Sequence, residues 1–424
     1  MNNLQIPSGW HKQTLGRIAS IRIGKTPPRD HDEFWDVHKQ SYNVWLSIRD
    51  MTSRYLSDSA EYITDKAIRE FNIPAVEMGT ILLSFKLTIG KVAIAQRELR
   101  TNEAIAAIKI LDSDQTDNDF LSYGLSHWNL LQNVDQAIKG ATLNKKKLRE
   151  IEFTLPIDPA EQRAIADILS IVDEAIAQSE SLVRKYQSIK QGLMSDLLTR
   201  GVAENGELRP SREEAPGLYR EGNMGWLPKD WEAVELQTIA TVERGKFTPR
   251  PRNNPKYYNG EHPFIQTGEV AAAGGRRIST YTQTLNELGA SVSREFPKET
   301  IVVTIAANIG ETAILDIPMY VTDSLVGIVV RQPNSVRYVE MFIRSKKEYF
   351  NAVAPQSAQK NINLGDLRPM LIAKPKPIEQ DKIAEIYDFA ESVLMNEENN
   401  LTKLQLLKQG LMQDLLSGQV RVKV

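Results

Sequence analysis

At 424 residues, 41% of them hydrophobic and 25% charged, the chain has an ordinary core-forming composition and a length that fits about two to four domains. A net charge of −2 excludes a surface coated uniformly in positive charge, and zero cysteines exclude disulfides, cysteine-ligated zinc and thiol catalysis, while the five histidines have no metal-ligand spacing. No apolar run reaches the roughly 18 residues that a membrane span needs, and Met1–Gln13 lacks the layout of a signal peptide, so a cytoplasmic location is expected.

The first half opens on Ile6-Pro7-Ser8-Gly9-Trp10, and residues 1–29 carry Lys12, Arg17, Arg22, Lys25 and Arg29 without one acid. Glycine and proline fix Gly24-Lys25-Thr26-Pro27-Pro28-Arg29 as a turn, from which cationic side chains project to pair with phosphates or read guanine edges. Lys25, Thr26 and Arg29 are the expected contacts there. Ala19–Thr26 also satisfies a relaxed phosphate-loop pattern. Such a loop must run into a helix whose N-terminus meets the phosphates, and Pro27-Pro28 disfavours that helix; nucleotide hydrolysis is set aside. Short apolar runs follow at Thr80–Ser84 and Lys91–Ala95, broken by Gly, Pro and Asn as in an α+β domain. A second acid-free segment, residues 139–149, carries Lys139, Lys145, Lys146, Lys147 and Arg149.

Residues 161–198 read as one helix of coiled-coil type, with Ile165, Ile168, Val172, Ala175, Leu182, Tyr186, Ile189 and Leu193 as its seam and only Ser179 interrupting. Asp158-Pro159 supplies the start and Gly201 the stop. At about 1.5 Å per residue such a helix is roughly 57 Å long. Residues 201–225 are polar, rich in Gly and Pro, and aperiodic, the pattern of a linker.

The second half repeats this order. Leu227-Pro228-Lys229-Asp230-Trp231 leads to Gly245-Lys246-Phe247-Thr248-Pro249-Arg250, inside an acid-free segment where Lys246, Thr248, Arg250, Arg252 and Lys256 are the expected contacts. Asn254-Pro255-Lys256-Tyr257 is similar to the N-P-P-Y motif of amino-methyltransferases, but Lys256 replaces the second proline and no glycine-rich loop follows a strand to hold a methyl donor. Trp45–Asp50 and Phe264–Glu269 are equivalent stretches whose aromatics are expected in the cores. Apolar runs recur at Ile301–Ile305 and Val326–Val330, and residues 379–416 form the second helix, with Ile383, Ile386, Ala390, Val393, Leu404, Leu407 and Leu411 in its seam.

The two halves share one plan. Residues 190–198 and 408–416 agree at eight of nine positions at a spacing of 218, as KQGLM-x-DLL, and Pro7–Arg29 matches the second half at nine of 23 positions at a shift of 221. Shifts of 220, 219 and 218 relate Thr80-Ile81 to Thr300-Ile301, Leu148-Arg149 to Leu367-Arg368, and Glu161-Gln162 to Glu379-Gln380, in unbroken order. A period this long means a duplicated domain-plus-helix unit, not a solenoid, whose repeats run about 20 to 50 residues. The expected division is domain 1–157, helix 158–200, linker 201–225, domain 226–377, helix 378–418 and tail 419–424. The tail follows the second helix as the linker follows the first, so the plan is nearly circular and the termini are expected close together.

The opening I-P-S-G-W or L-P-K-D-W, the G-K-x-x-P-R loop, the L-R lead-in to Pro156 and Pro375, the E-Q-x-x-I-A helix start and the K-Q-G-L-M-x-D-L-L helix end occur twice in one order. This pattern resembles the DNA-specificity subunit of type I restriction-modification systems over essentially the whole chain. The resemblance implies two α+β target recognition domains, each reading one half of a split DNA site and separated by two antiparallel helices. It further implies partners: two methylation subunits docked on those helices, and restriction subunits in the full complex. No catalytic residue, metal or cofactor is expected in this chain. Because the domains diverge between shared landmarks, the target is expected to be asymmetric. Two other readings remain open at this point: a self-contained DNA methyltransferase, which would bind methyl donor alone, and a coiled-coil adaptor without sequence preference.

Overall fold

The computed structural model describes residues 6–128, 130, 144–306, 308–353 and 361–424; Lys139 of the second basic segment lies outside the described residues. The chain divides into two units, residues 1–180 with 399–424, and residues 181–398. Each unit joins one mixed domain to half of each long helix.

In the first unit a five-stranded sheet runs in the order Ala19–Ile23, Ile105–Ile110, Ile81–Ser84, Val92–Ala95, Tyr55–Leu56, antiparallel except at its last pair. The central run Ile81–Ser84 is apolar without alternation because both of its faces are covered. Successive side chains of a strand point to opposite faces. Ile81 and Leu83 accordingly join one core with Trp10, Phe120 and Leu148, while Leu82 joins another with Val44 and Leu46. The second unit repeats this arrangement: Ala240–Arg244, Leu325–Val330, Thr300–Thr304, Thr312–Leu315 and Arg277–Ile278 form its five-stranded sheet, with Ile301 and Val303 on one face and Val302 on the other. Both domains pack a helix beside the sheet, α1 (Asn118–His127) in the first unit and α3 (Val336–Ser345) in the second.

The long helices are α2 (Pro159–Thr199) and α4 (Pro377–Leu416). Within the first unit Ile165, Ala166 and Leu169 of α2 share a core with Leu411, Leu415 and Leu416 of α4, and Lys408 binds Asp173 at 2.6 Å. Within the second, Leu197 and Leu198 share a core with Ile383 and Tyr387, and Lys190 binds Glu391 at 2.9 Å. Rising numbers on one helix meet falling numbers on the other, so the pairing is antiparallel.

The seam frame differs from expectation in the middle of α2. Ile165, Val172 and Leu193 lie in it, and Ile168 is half-buried, but Leu182 and Ile189 are 37% and 49% exposed. The helix instead turns Ile176, Ser179, Val183, Tyr186 and Lys190 inward, at alternating spacings of three and four. Ser179 is buried and Lys190 is charge-paired, so a reading that follows apolar residues slides off the seam onto exposed neighbours. On α4 Ile383 is buried, Ile386, Val393, Leu404 and Leu411 are half-buried, and Leu394 is buried next to Val393.

The segment expected as an aperiodic linker carries order of its own. Val202 bridges Leu208, and a hairpin pairs Tyr219–Gly222 with Gly225–Pro228. None of the described helices is long and apolar enough to cross a membrane.

Candidate DNA-recognition loops and their anchors

Each G-K loop is fixed by the same backbone contacts. Gly24 N and Lys25 N donate to Ile105 O and Thr101 O at 3.4 and 2.9 Å, and Gly245 N and Lys246 N donate to Leu325 O and Val321 O at 2.8 and 3.2 Å. A Cβ on Gly24 would fall 1.9 Å from Thr101 O, and one on Gly245 would fall 2.1 Å from Thr322 O. The glycines are required by this close approach of two backbones. No helix continues from Lys25-Thr26: the next helical turn is Asp32–Phe34, beyond Pro27-Pro28.

Trp45 and Phe264 lie buried beneath the loops, as expected for core aromatics; Trp45 Nε1 donates to Lys25 O at 2.9 Å, and Phe264 packs on Phe247 with centroids 5.1 Å apart. Sequence reasoning missed one acid beside each loop. Thr26 Oγ1 donates to Glu103, while Arg250 and Arg252 reach Asp323 at 3.2 and 2.8 Å. Burial opposes ionisation of Glu103, but the Thr26 hydrogen bond and the charges of Lys86 and Arg29 prevail and hold its carboxyl below the usual range. Glu103 and Asp323 stand 220 apart, a shift already present in the repeat, and that was the available signal.

The expected contacts fall into two groups. Arg29 is bound by Glu61 and lies over the Trp35 and Trp45 rings at 4.0 and 4.9 Å, so its guanidinium, like those of Arg250 and Arg252, is oriented from within its own unit. Lys25 donates to Phe71 O at 3.0 Å, and Lys256 lies over the Tyr257 ring at 4.8 Å. Lys246 and Thr248 are exposed and have no side-chain partner among the described residues. Asn254 Oδ1 accepts from Lys256 N at 3.2 Å, so the asparagine of the N-P-K-Y stretch caps a turn.

The shared E-Q pair at the start of each long helix has a structural purpose. Gln162 accepts from Asp117 N at 2.9 Å and donates to Pro156 O at 2.8 Å; Gln380 accepts from Ser335 N at 2.9 Å and donates to Pro375 O at 2.9 Å. Each therefore fastens the first turn of α1 or α3 to a long helix. Glu379 takes Arg209, Trp231 Nε1 at 3.2 Å and Val202 N at 3.0 Å. Glu161 takes Arg421 at 2.6 and 2.7 Å, and Arg421 also donates to Ser8 O. The tail thus docks beside the chain's opening residues as the linker docks beside Trp231.

Domain and helices also meet at an acid on each helix pair. Tyr123 of α1 donates to Asp173 at 2.8 Å, while Arg337 of α3 reaches Glu391 at 2.6 Å, Asp388 at 2.7 Å and the fully buried Glu340 at 2.7 Å. Burial opposes ionisation of Glu391, but Lys190 and Arg337 outweigh it and keep its carboxyl below the usual range.

A duplicated domain, each copy offering a backbone-fixed cationic loop and clamped to an antiparallel helix pair, is the architecture of a bipartite DNA-recognition protein. The family model described as the type I restriction modification DNA specificity domain matches residues 7–189 and again 228–405. The chain belongs to that family. The type I restriction enzyme MjaIX specificity subunit of Methanocaldococcus jannaschii is 22% identical over 99% of this chain and 95% of its own length, and the putative MjaX specificity subunit of that organism is 25% identical over the same shares. In fold the chain is similar to the crystal structure of the type I restriction-modification S subunit from M. genitalium, with a TM-score of 0.57 over 98% of this chain and 97% of that one at 15% identity.

Proposed function

We propose that this specificity subunit reads an asymmetric, split DNA site, one half with each unit, and carries no catalytic activity itself. Two methylation subunits assembled on its helices supply adenine methylation, and restriction subunits joining that complex supply ATP-driven cleavage. The observation that carries the reading is the paired loop: backbone contacts and a supporting acid recur at shifts of about 220, while the side chains between them differ, as in Thr26 against Phe247.

The exposed Lys25, Lys246, Thr248 and Lys256 suit phosphates, which receive most protein–DNA hydrogen bonds. Arg29, Arg250 and Arg252 have their guanidinium planes set by an acid or by ring stacking, which suits a bidentate contact to a guanine edge. The test is methylation mapping in cells that express the chain with its methylation subunit. Arg250→Ala should relax the motif at one position of one half-site and leave the other half intact. Relaxation of both halves contradicts the assignment of one half to each unit.

A further inference from the structure

The repeated K-Q-G-L-M-x-D-L-L contains one residue that neither unit explains. Its lysines bind Glu391 and Asp173, its first leucines lie in the seam, its methionines pack against the cores and its last leucines are buried. Gly192 and Gly410 differ: each is exposed in mid-helix, and a Cβ added there meets nothing within 4 Å. Glycine weakens a helix interior relative to alanine, yet both copies keep it where nothing inside either unit asks for it.

Residues three and four apart share a helix face. Lys185, Ile189, Gly192 and Asp196 form one such stripe on α2 in the second unit; Lys403, Leu407, Gly410 and Asp414 form the same stripe on α4 in the first, at the 218-residue shift. Ile189 and Leu407 are 49% and 51% exposed, although both are large and apolar. Lys185 and Lys403 are exposed and have no side-chain partner among the described residues.

We propose that each stripe seats one amphipathic helix of a methylation subunit, one copy of the subunit crossing at Gly192 and a second copy crossing at Gly410. This rests on the reading that methylation subunits assemble on the chain. Without a Cβ at the crossing point, a bulky apolar side chain of the incoming helix enters over the glycine and packs on Ile189 or Leu407. The stripe is positive at one end and carries a carboxylate at the other. It therefore selects a helix with an acid opposite the lysine and a base opposite the aspartate. The same stripe twice calls for the same partner twice; a partner binding once would need a feature present once.

The test uses the full chain co-purified with its methylation subunit, with stoichiometry read by native mass spectrometry. Gly192→Phe and Gly410→Phe should each leave one bound copy, and the double variant none, while the isolated chain melts unchanged. Lys185→Glu with Lys403→Glu should weaken assembly about ten-fold. Two copies still bound to the double phenylalanine variant would overturn the proposal, as would a lowered melting temperature of the isolated chain, which would place a covering element inside the chain. Loss of a chain–chain dimer with methylation subunits retained would also overturn it. If the unsubstituted chain holds no methylation subunit, the functional reading itself fails.

Discussion

Lys246 and Arg250 stand four positions apart in one loop and predict different losses. Lys246 is exposed and unpaired among the described residues, so as a phosphate contact its removal releases one fewer counterion on binding. Lys246→Ala should weaken binding to every sequence and make the slope of log affinity against log salt shallower by about 0.9; an unchanged slope removes Lys246 from the phosphate contacts. Gly245 is a packing residue. Its added methyl would meet the backbone carbonyl of Thr322, which cannot swing away, so Gly245→Ala should destabilise the second unit by about 1–3 kcal/mol, read as a lower urea midpoint. Glu379 and Glu161 test the two anchors against each other. Glu379 satisfies Arg209, Trp231 and Val202 in a buried setting, whereas the Arg421 side chain on Glu161 is 40% exposed. Leaving a buried guanidinium unpaired costs about 3–5 kcal/mol, so Glu379→Ala should lower stability clearly more than Glu161→Ala in calorimetry.

At the scale of elements, the loops were legible because glycine and proline at fixed offsets name a turn whatever surrounds it. The acids behind them were not, because Glu103 and Asp323 reach the loops only after strands distant in sequence pair. The long helices were legible as helices for their whole length, and the frame failed where polar residues occupy seam positions. Ser179 is buried and Lys190 is neutralised across the seam, and neither fact is visible to a count of apolar residues. The Lys190–Glu391–Arg337 contact ties α2, α3 and α4 together in the second unit and gives its stability a pH dependence. The folded carboxyl of Glu391 is held below its ordinary value, so its contribution is complete above about pH 4.3 and is lost as pH falls through the lower folded value. Thermal melts of Glu391→Gln should therefore lie below those of the unsubstituted chain at pH 7 and converge with them toward pH 3; a constant gap would place the stabilisation elsewhere.

At the scale of the whole molecule, the duplication was the most legible feature, since landmarks at shifts of 218 to 221 became equivalent sheets, equivalent helix latches and equivalent loops. Less legible was how the chain is shared out: each unit takes half of each long helix, and the residues after α2 carry a hairpin that composition alone assigned to a linker. Identity between the copies is concentrated where the long helices are built and latched, and divergence in the recognition domains. That distribution is the basis for two different half-sites read by one chain. The direct test is to co-express the chain with its methylation subunit and map methylated adenines across the genome. The account predicts one motif made of two unlike specified segments around an unspecified spacer of constant length; a single continuous motif, or two identical half-sites, would contradict it.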